Sequence, residues 1–529
     1  MSAQNEQENK GDKAPQAAAK LPGFAMVALI LGVFMAILDT SIVNVAIPKM
    51  MSVFGVNQSQ IEWVVTAYAL VSGALVPATG FLGDRFGYKK MYVISLAIFT
   101  IGSGLCGIAW SNNAMIVFRI VQAVGGGAMM PISMAMILRM IPVERRGIAM
   151  GMFGIAIMFA PATGPTLSGY IVEYLDWRLI FTINVPIGIL DLFLSAAFLR
   201  EFKSEVKRRF DLAGFLTSSL GLASLLYGVG LVSEKGWTDQ EVLAFVLTGL
   251  VSLIAFITIE LHVKDPLLDL SLMKNWTFTL TVSISSLVTV IMMGVLFLLP
   301  IFLQSVSGLS AVQTGLLLLP QALMSGFMMP IAGALYDKIG AKAIAVIGML
   351  ITAYALYLTS QLSMETSHGT IVFWMCLRAA GMGLMMMPMQ TAGMSTVPMD
   401  KVGQGTALSN TIRQVSGAFG IAWLSMLFTD RRNFHSASYA EQLNMFSTSV
   451  TDQINRLQNS FVALGQSASQ ARASALSYVA GQVQIEATIT ALDDVFILTA
   501  ALSLVALALS LLIKEKKRKG EPGMPMMGE

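Results

Sequence analysis

Charge is scarce in this chain. Asp, Glu, Lys and Arg make up 12% of its 529 residues, against 55% hydrophobic, where a soluble protein carries roughly 25% charged residues. A soluble chain of this length would divide into several domains, each with a polar coat. There is too little charge here to coat them, so lipid is the solvent for much of the surface. From Trp276 to Tyr336 there is no Asp, Glu, Lys, Arg or His, and Trp63–Gly83 and Met91–Trp110 are equally bare. About 20 apolar residues in helical conformation span a bilayer core, and the period-two alternation of a membrane barrel is missing. Cysteine is also scarce. The two present, Cys106 and Cys376, fall inside apolar runs, which excludes a disulfide framework or a zinc-binding spacing and leaves them as small packed residues. No Gly-x-x-x-x-Gly-Lys-Ser/Thr loop occurs, so nucleotide hydrolysis is excluded as a motor. Nothing in the pattern calls for a cofactor, a metal or a catalytic residue. A net charge of +3 is too small to imply nucleic acid as a partner.

What is present is a series of apolar spans, expected at 24–48, 61–83, 91–110, 114–138, 147–172, 179–199, 212–233, 242–262, 277–304, 311–336, 342–362, 369–394, 403–429 and 489–513. Met1–Pro22 is polar and lacks the basic-then-apolar pattern of a signal peptide, so the first span is read as retained. Lys and Arg collect in alternate linkers: Arg85, Lys89 and Lys90; Arg139, Arg145 and Arg146; Arg200, Lys203, Lys207, Arg208 and Arg209; Lys264 and Lys274; Lys338 and Lys342; Lys401; and the tail from Lys514 to Lys519. The other linkers offer Lys49, Arg178, Lys235 and little else. The positive-inside rule then puts both termini in the cytoplasm, which requires an even number of spans.

The expected organisation is all-α: a cytoplasmic tail over 1–23, a six-helix bundle over 24–200, two further spans with linkers over 201–275, a second six-helix bundle over 276–513, and a basic tail over 514–529. The second bundle carries a long outer loop, 430–487, where Ile454, Leu457, Phe461 and Leu464 recur at helical spacing. Amphipathic helix is expected there, either as a solvated cap or as a docking surface for another protein.

An internal repeat supports two related bundles. Gly80-Phe81-Leu82-Gly83-Asp84-Arg85-Phe86-Gly87 and Gly333-Ala334-Leu335-Tyr336-Asp337-Lys338-Ile339-Gly340 place Gly, Asp, a base and Gly at the same offsets. Arg119 leads through Gly125, Gly126 and Gly127 to Pro131, as Arg378 leads through Gly381 and Gly383 to Pro388. Repeated halves with a site between them suit a transporter that alternates access.

With these residues the chain resembles the major facilitator superfamily, and within it the fourteen-helix EmrB/QacA-type drug:proton antiporters. The resemblance covers about residues 24–513. It rests on Leu38-Asp39-Thr40-Ser41-Ile42-Val43-Asn44-Val45-Ala46-Ile47-Pro48 in span 1, on Gly80–Lys90, on Arg119, Gln122 and Gly125 in span 4, on Gly154, Pro161, Gly164, Pro165 and Gly169 in span 5, and on Trp177-Arg178 with Asn184-Val185-Pro186. The span-5 motif departs from its usual form at Ser168, where the family has the first of two glycines. The resemblance implies efflux of amphipathic, often cationic, multidrug substrates in exchange for protons across the inner membrane. In a cell with two membranes it also implies a membrane-fusion adaptor and an outer-membrane channel as partners.

An ionisable side chain inside a span costs about 2.5–3.5 kcal/mol on insertion scales, so each one present calls for a function. Asp39 and Arg119 are expected at similar depth on neighbouring helices, as a pair whose protonation couples proton entry to rocking. A purely structural ion pair is the plainer alternative. Asp84, Arg85, Asp337 and Lys338, with Gly80 and Gly87, are expected to gate the cytoplasmic side by meeting the positive helix ends of the opposite bundle. Asn44, Gln122, Asp191, Met387, Gln390 and Arg413 are the candidates for lining the substrate cavity, methionine being adaptable enough for varied cargo. Asp191 has two readings, a cation or proton site and a partnered structural group; Arg413 reads as structural. Rival functions are an exporter of one metabolite, lipid or siderophore, an importer, and a membrane scaffold that transports nothing.

Overall fold

The computed structural model describes residues 23–142, 145–203, 209–442 and 448–513. The tails, with the basic run from Lys514 and the linker residues Lys207 and Arg208, lie outside the described residues. Helices α1 (Gly23–Phe54), α2 (Trp63–Phe86), α3 (Tyr88–Gly107), α4 (Asn112–Met140), α5 (Arg146–Tyr174) and α6 (Leu179–Phe198) are followed by α7 (Leu212–Lys235) and α8 (Gln240–His262). Then come α9 (Trp276–Val306), α10 (Ala311–Ile339), α11 (Ala341–Thr359), α12 (His368–Ser395), α13 (Val402–Gln442), the short α14 (Thr448–Ala463) and α15 (Ala468–Leu511). The described residues contain no strand. α1 to α6 pack on one another, α9 to α13 and α15 do likewise, and α7 pairs with α8 while touching α2 and α13.

Thirteen of these helices are long and apolar enough to cross a membrane. The remaining expected span, 403–429, lies in α13 and falls short on polarity. The reason is its surroundings: Gln404, Thr406, Ser409, Asn410 and Thr411 are buried against helices of both halves, so this helix faces protein where others face lipid. Small side chains allow the closest approaches elsewhere. A Cβ on Gly125 of α4 would lie 2.5 Å from the backbone nitrogen of Phe99 on α3. Gly125→Val is expected to lower stability by about 1–3 kcal/mol, the usual cost of overpacking, read as an earlier melting transition in detergent.

Helix starts follow their capping residues. Ser310 with Gln313 and Ser467 with Gln470 form capping boxes at α10 and α15, and Asp239 and Asn275 accept from the first amides of α8 and α9. The two repeated turns take the same backbone form: Gly87 (φ 98°) and Gly340 (φ 85°) each separate two helices with a positive φ that favours glycine.

α13 has 41 residues and α15 has 44, each about 60–66 Å long at 1.5 Å per residue, roughly twice a 30 Å hydrocarbon core. Both therefore continue past the bilayer as a helical stalk. The expected span ends at 429 and 489 are thus not helix ends, and much of 430–487 is helix as its spacing predicts. In the stalk Tyr439 meets Thr490 at 2.9 Å, Gln484 donates to Ser436 at 2.7 Å, and His435 meets Asp494 at 2.9 Å. α14 lies on α15, where Ile454 is buried with Ala471 and Ala475. Leu464 falls past the end of α14 and is exposed.

Candidate functional site

α1 and α4 bring Asp39 and Arg119 together with no solvent exposure at either. Arg119 Nη1 donates to Asp39 Oδ2 at 2.5 Å and to Gln122 Oε1 at 2.7 Å, while Arg119 Nε donates to the Val64 carbonyl of α2 at 3.2 Å. Gln122 Nε2 donates to Asp39 Oδ1 at 2.8 Å and to Ser103 Oγ of α3 at 2.7 Å. Asn184 Nδ2 of α6 donates to Asp39 Oδ1 at 3.1 Å. The guanidinium lies 4.2 Å from the centre of the Tyr68 ring and 5.7 Å from that of Phe181. Three helices thus meet at one carboxylate, and two more join the cluster through Arg119 and Gln122. An ion pair buried this completely costs several kcal/mol per ion to desolvate and is held by such surrounding hydrogen bonds. Gln122, a cavity candidate by sequence, is sealed inside this cluster. Asn184, Ser103 and Tyr68 were not singled out as site residues; as short polar or aromatic groups in apolar runs they carried no charge signal.

Asp191 on α6 occupies a second buried position. It accepts from Tyr92 Oη of α3 at 3.1 Å and from Ser195 Oγ at 3.3 Å, while Tyr92 also reaches the Ala28 carbonyl of α1 at 3.0 Å. Gly32 leaves the room: a Cβ there would sit 2.9 Å from Asp191 Oδ2. Asp191 has no solvent exposure, so it reaches the cavity only if helices move.

The repeated loops pack across the two halves. A Cβ on Gly80 would meet the Gly403 carbonyl oxygen at 2.8 Å, and one on Gly147 would meet the Gly333 carbonyl oxygen at 2.5 Å. Gly403 and Gly147 are each the second residue of their helix, α13 and α5, so the same motif position meets the same helix position twice. Asp84 accepts from Tyr88 Oη at 3.0 Å and from Arg139 Nη2 at 3.0 Å, and the Tyr88 hydroxyl abuts Gly403. Asp337 lies against Gly147, at the positive start of α5. Arg85 and Lys338 are both exposed. Nearby, Lys401 donates to Asp269 at 2.7 Å. Burial pushes the Asp269 carboxyl up, but Lys401 and Ser271 outweigh it and hold it below the ordinary aspartate value. That tie is therefore present above the ordinary value and lost only as pH falls through the depressed one.

Contact between the halves continues inward from this basic end. Gly151 packs on Met329 and Pro330, Gly154 on Met329 and Met387, and Gly73 on Gln414. Gln390 Nε2 donates to Met134 Sδ at 2.9 Å, and Arg413 Nη1 donates to Gln390 Oε1 at 3.3 Å and Nη2 to Asn410 Oδ1. Met387 is buried, Gln390 is 6% exposed and Arg413 is half-buried, so these three cavity candidates belong to the closed interface. Past Met158 and Gly326 toward the stalk end, α5 turns to α1: Gly164 abuts Ser41, Ser41 Oγ donates to the Pro161 carbonyl at 3.0 Å, and Ser168 Oγ donates to the Ile42 carbonyl at 2.7 Å. Ser168 thus fills the glycine position with a bond and no bulk. A Cβ on Gly169 would meet no neighbouring helix within 4 Å, Asn44 is exposed, and Pro165 lies in the same helix.

The Major Facilitator Superfamily profile matches residues 29–421. The chain belongs to that family. It is 30% identical to the multidrug export protein EmrB of Escherichia coli over 91% of this chain and 93% of that one. It is 37% identical to the uncharacterised MFS-type transporter YhcA of Bacillus subtilis over 94% of each, and 32% identical to the lincomycin resistance protein LmrB of the same organism over 75% of this chain and 83% of that one. In fold it matches the proton:xylose symporter XylE (TM-score 0.60, 14% identity, 93% of this chain and 96% of that one) and the human organic anion transporter MFSD10 (TM-score 0.59, 12% identity, 93% and 100%). This member of the superfamily is therefore a multi-pass membrane transporter and not an enzyme, and its cargo is a small molecule.

Proposed function

We propose that the chain exports lipophilic small molecules across the inner membrane in exchange for protons, with its basic end and both termini in the cytoplasm. The observation that carries this reading is the Asp39–Arg119 pair, an acid and a base held in a five-helix cluster with no exposure. The names of EmrB and LmrB, an export protein and a resistance protein, support efflux. Lys and Arg in the linkers of one end support the orientation.

In this mechanism Asp39 takes a proton from the outer side and loses its attraction for Arg119. Asn184 receives the change. Its Oδ1 is buried with no donor among the described residues, so rotating its amide turns an acceptor toward the new carboxylic acid. The weakened cluster lets α1 and α4 shift, and the glycine crossings at Gly80–Gly403 and Gly147–Gly333 open toward the cytoplasm. Substrate enters there, and release of the proton restores the ion pair. The test is flux in proteoliposomes under an imposed pH gradient: adding a substrate inside is expected to drive proton movement, and no substrate-dependent flux from correctly folded protein removes the antiport reading.

The stalk is the proposed contact for a membrane-fusion adaptor and, through it, an outer-membrane channel. Because Ser436 and Gln484 already touch, residues 437–483 are replaceable by a four-residue turn. That variant is expected to keep its flux in proteoliposomes and to lose drug resistance in a cell with two membranes. Unchanged resistance would assign the stalk to no partner.

A further inference from the structure

Arg378 is the repeat counterpart of Arg119, and its surroundings differ in one respect. Arg119 has Asp39. Arg378 is 7% exposed, and both side chains that it meets are neutral: Nη2 donates to Gln321 Oε1 of α10 at 2.6 Å, and Nη1 donates to Met382 Sδ at 3.1 Å. Among the described residues it forms no ion pair. The helix that corresponds to α1, namely α9, holds no acidic residue at all between Trp276 and Val306. Arg413 is likewise without an ion pair among the described residues, so the two arginines inside the expected membrane spans of the second half, Arg378 and Arg413, have no acidic partner among those residues.

A guanidinium offers five N–H donors in a planar fork that matches a carboxylate or sulfonate. Holding it in a membrane interior on an amide and a thioether is unfavourable, and the missing partner is an anion. Position favours one arriving with the cargo. Arg378 and Gln321 each lie about 15 Å into their helices from the stalk end, and Arg119 lies about 10 Å in. Gln321 is half-buried and lies five residues nearer the stalk end than Gly326, whose added Cβ would only just reach Met158 of α5 at 4.0 Å, against 2.1 Å between Gly333 and the Gly147 carbonyl oxygen at the basic end. The fork therefore lies toward the stalk end, away from the tightest crossing of the two halves.

We propose that Arg378, with Gln321 beside it, binds the anionic group of the exported molecule, so that the cargo of this transporter is a lipophilic acid. The proposal deepens the export reading and rests on it for the direction of transport, but the binding it predicts is measurable without flux. 2-Naphthoate and 2-naphthamide share a ring system, and at neutral pH only the first carries charge. Equilibrium binding of each to the full chain in phosphatidylcholine nanodiscs, whose lipid has no net charge to compete for the fork, is expected to favour naphthoate at least tenfold. Arg378→Gln, whose amide still reaches Gln321, is expected to remove that preference while leaving naphthamide binding within twofold, and Arg378→Lys to keep part of it. Equal binding of the two probes, or a naphthoate preference that survives Arg378→Gln, overturns the assignment. Loss of proton flux with the naphthoate preference intact would instead strike at the antiport mechanism and leave the anion site standing.

Discussion

Asp39→Asn is expected to abolish proton-driven export and to destabilise the protein at the same time. The substitution keeps the shape and removes the charge, leaving Arg119 with no exposure and no anion. Breaking one side of a buried ion pair costs about 3–5 kcal/mol, because the surviving charge stays desolvated. Removing both charges is expected to be far milder: in Asp39→Asn with Arg119→Gln, the amides at 39, 119, 122 and 184 can satisfy one another. The double variant should therefore regain most of the lost thermal stability in detergent and none of the transport. A double variant that recovers substrate-driven proton flux would show that the pair is scaffolding and that the proton travels elsewhere.

Gly333→Leu is expected to produce the second large loss, by a different route. The position presses on the Gly147 backbone, and a leucine there cannot be accommodated by a rotamer change, since the atoms in the way are main chain. The halves are then held apart at the basic end, which traps the state open to that side. Transport should fall at least tenfold while the separate bundles stay folded. Cysteines placed at Met134 and Gln390, in a chain whose Cys106 and Cys376 are replaced by alanine, report the closure: their side chains meet in the closed interface, so a short bifunctional thiol reagent should bridge them in the parent and fail in the leucine variant. Equal bridging in both would mean that Gly333 does not control closure.

The fold was legible because membrane helices announce themselves by missing charge, and because the few charges inside them are costly enough to notice. Asp39 and Arg119 stood out for that reason, and their pairing agrees with it. Neutral partners gave no such signal. Asn184 entered only as part of a motif and Ser103 not at all; the structure shows that Asn184 bonds Asp39 and that Ser103 bonds Gln122 beside it. Arg139 was read as one more basic linker residue, yet it binds Asp84 across α2 and α4. That α13 and α15 run unbroken past 429 and before 489 was not legible from the spans, for a related reason. Polarity marks the end of the hydrocarbon region, whereas a helix ends where its backbone loses partners or meets a capping residue, and none intervenes at 429 or 489. The crossings of Gly147 on Gly333 and of Gly80 on Gly403 join residues far apart in sequence, and the repeat alone could not say which helix each loop would touch.

The unbroken course of α13 and α15 makes the stalk a lever. Beyond the expected spans α13 projects by residues 430–442 and α15 by residues 468–488, about 20 Å and about 30 Å at helical rise, so a tilt of about 10° in the half that owns them sweeps the tip of the longer rod through about 5 Å. Under the proposed rocking, a transporter whose motion is hidden among apolar side chains would thus carry an external pointer to its own state, fixed to one half by continuous backbone. Anything gripping that pointer would feel each turnover as a sideways stroke, and could in turn slow the pump by holding it still.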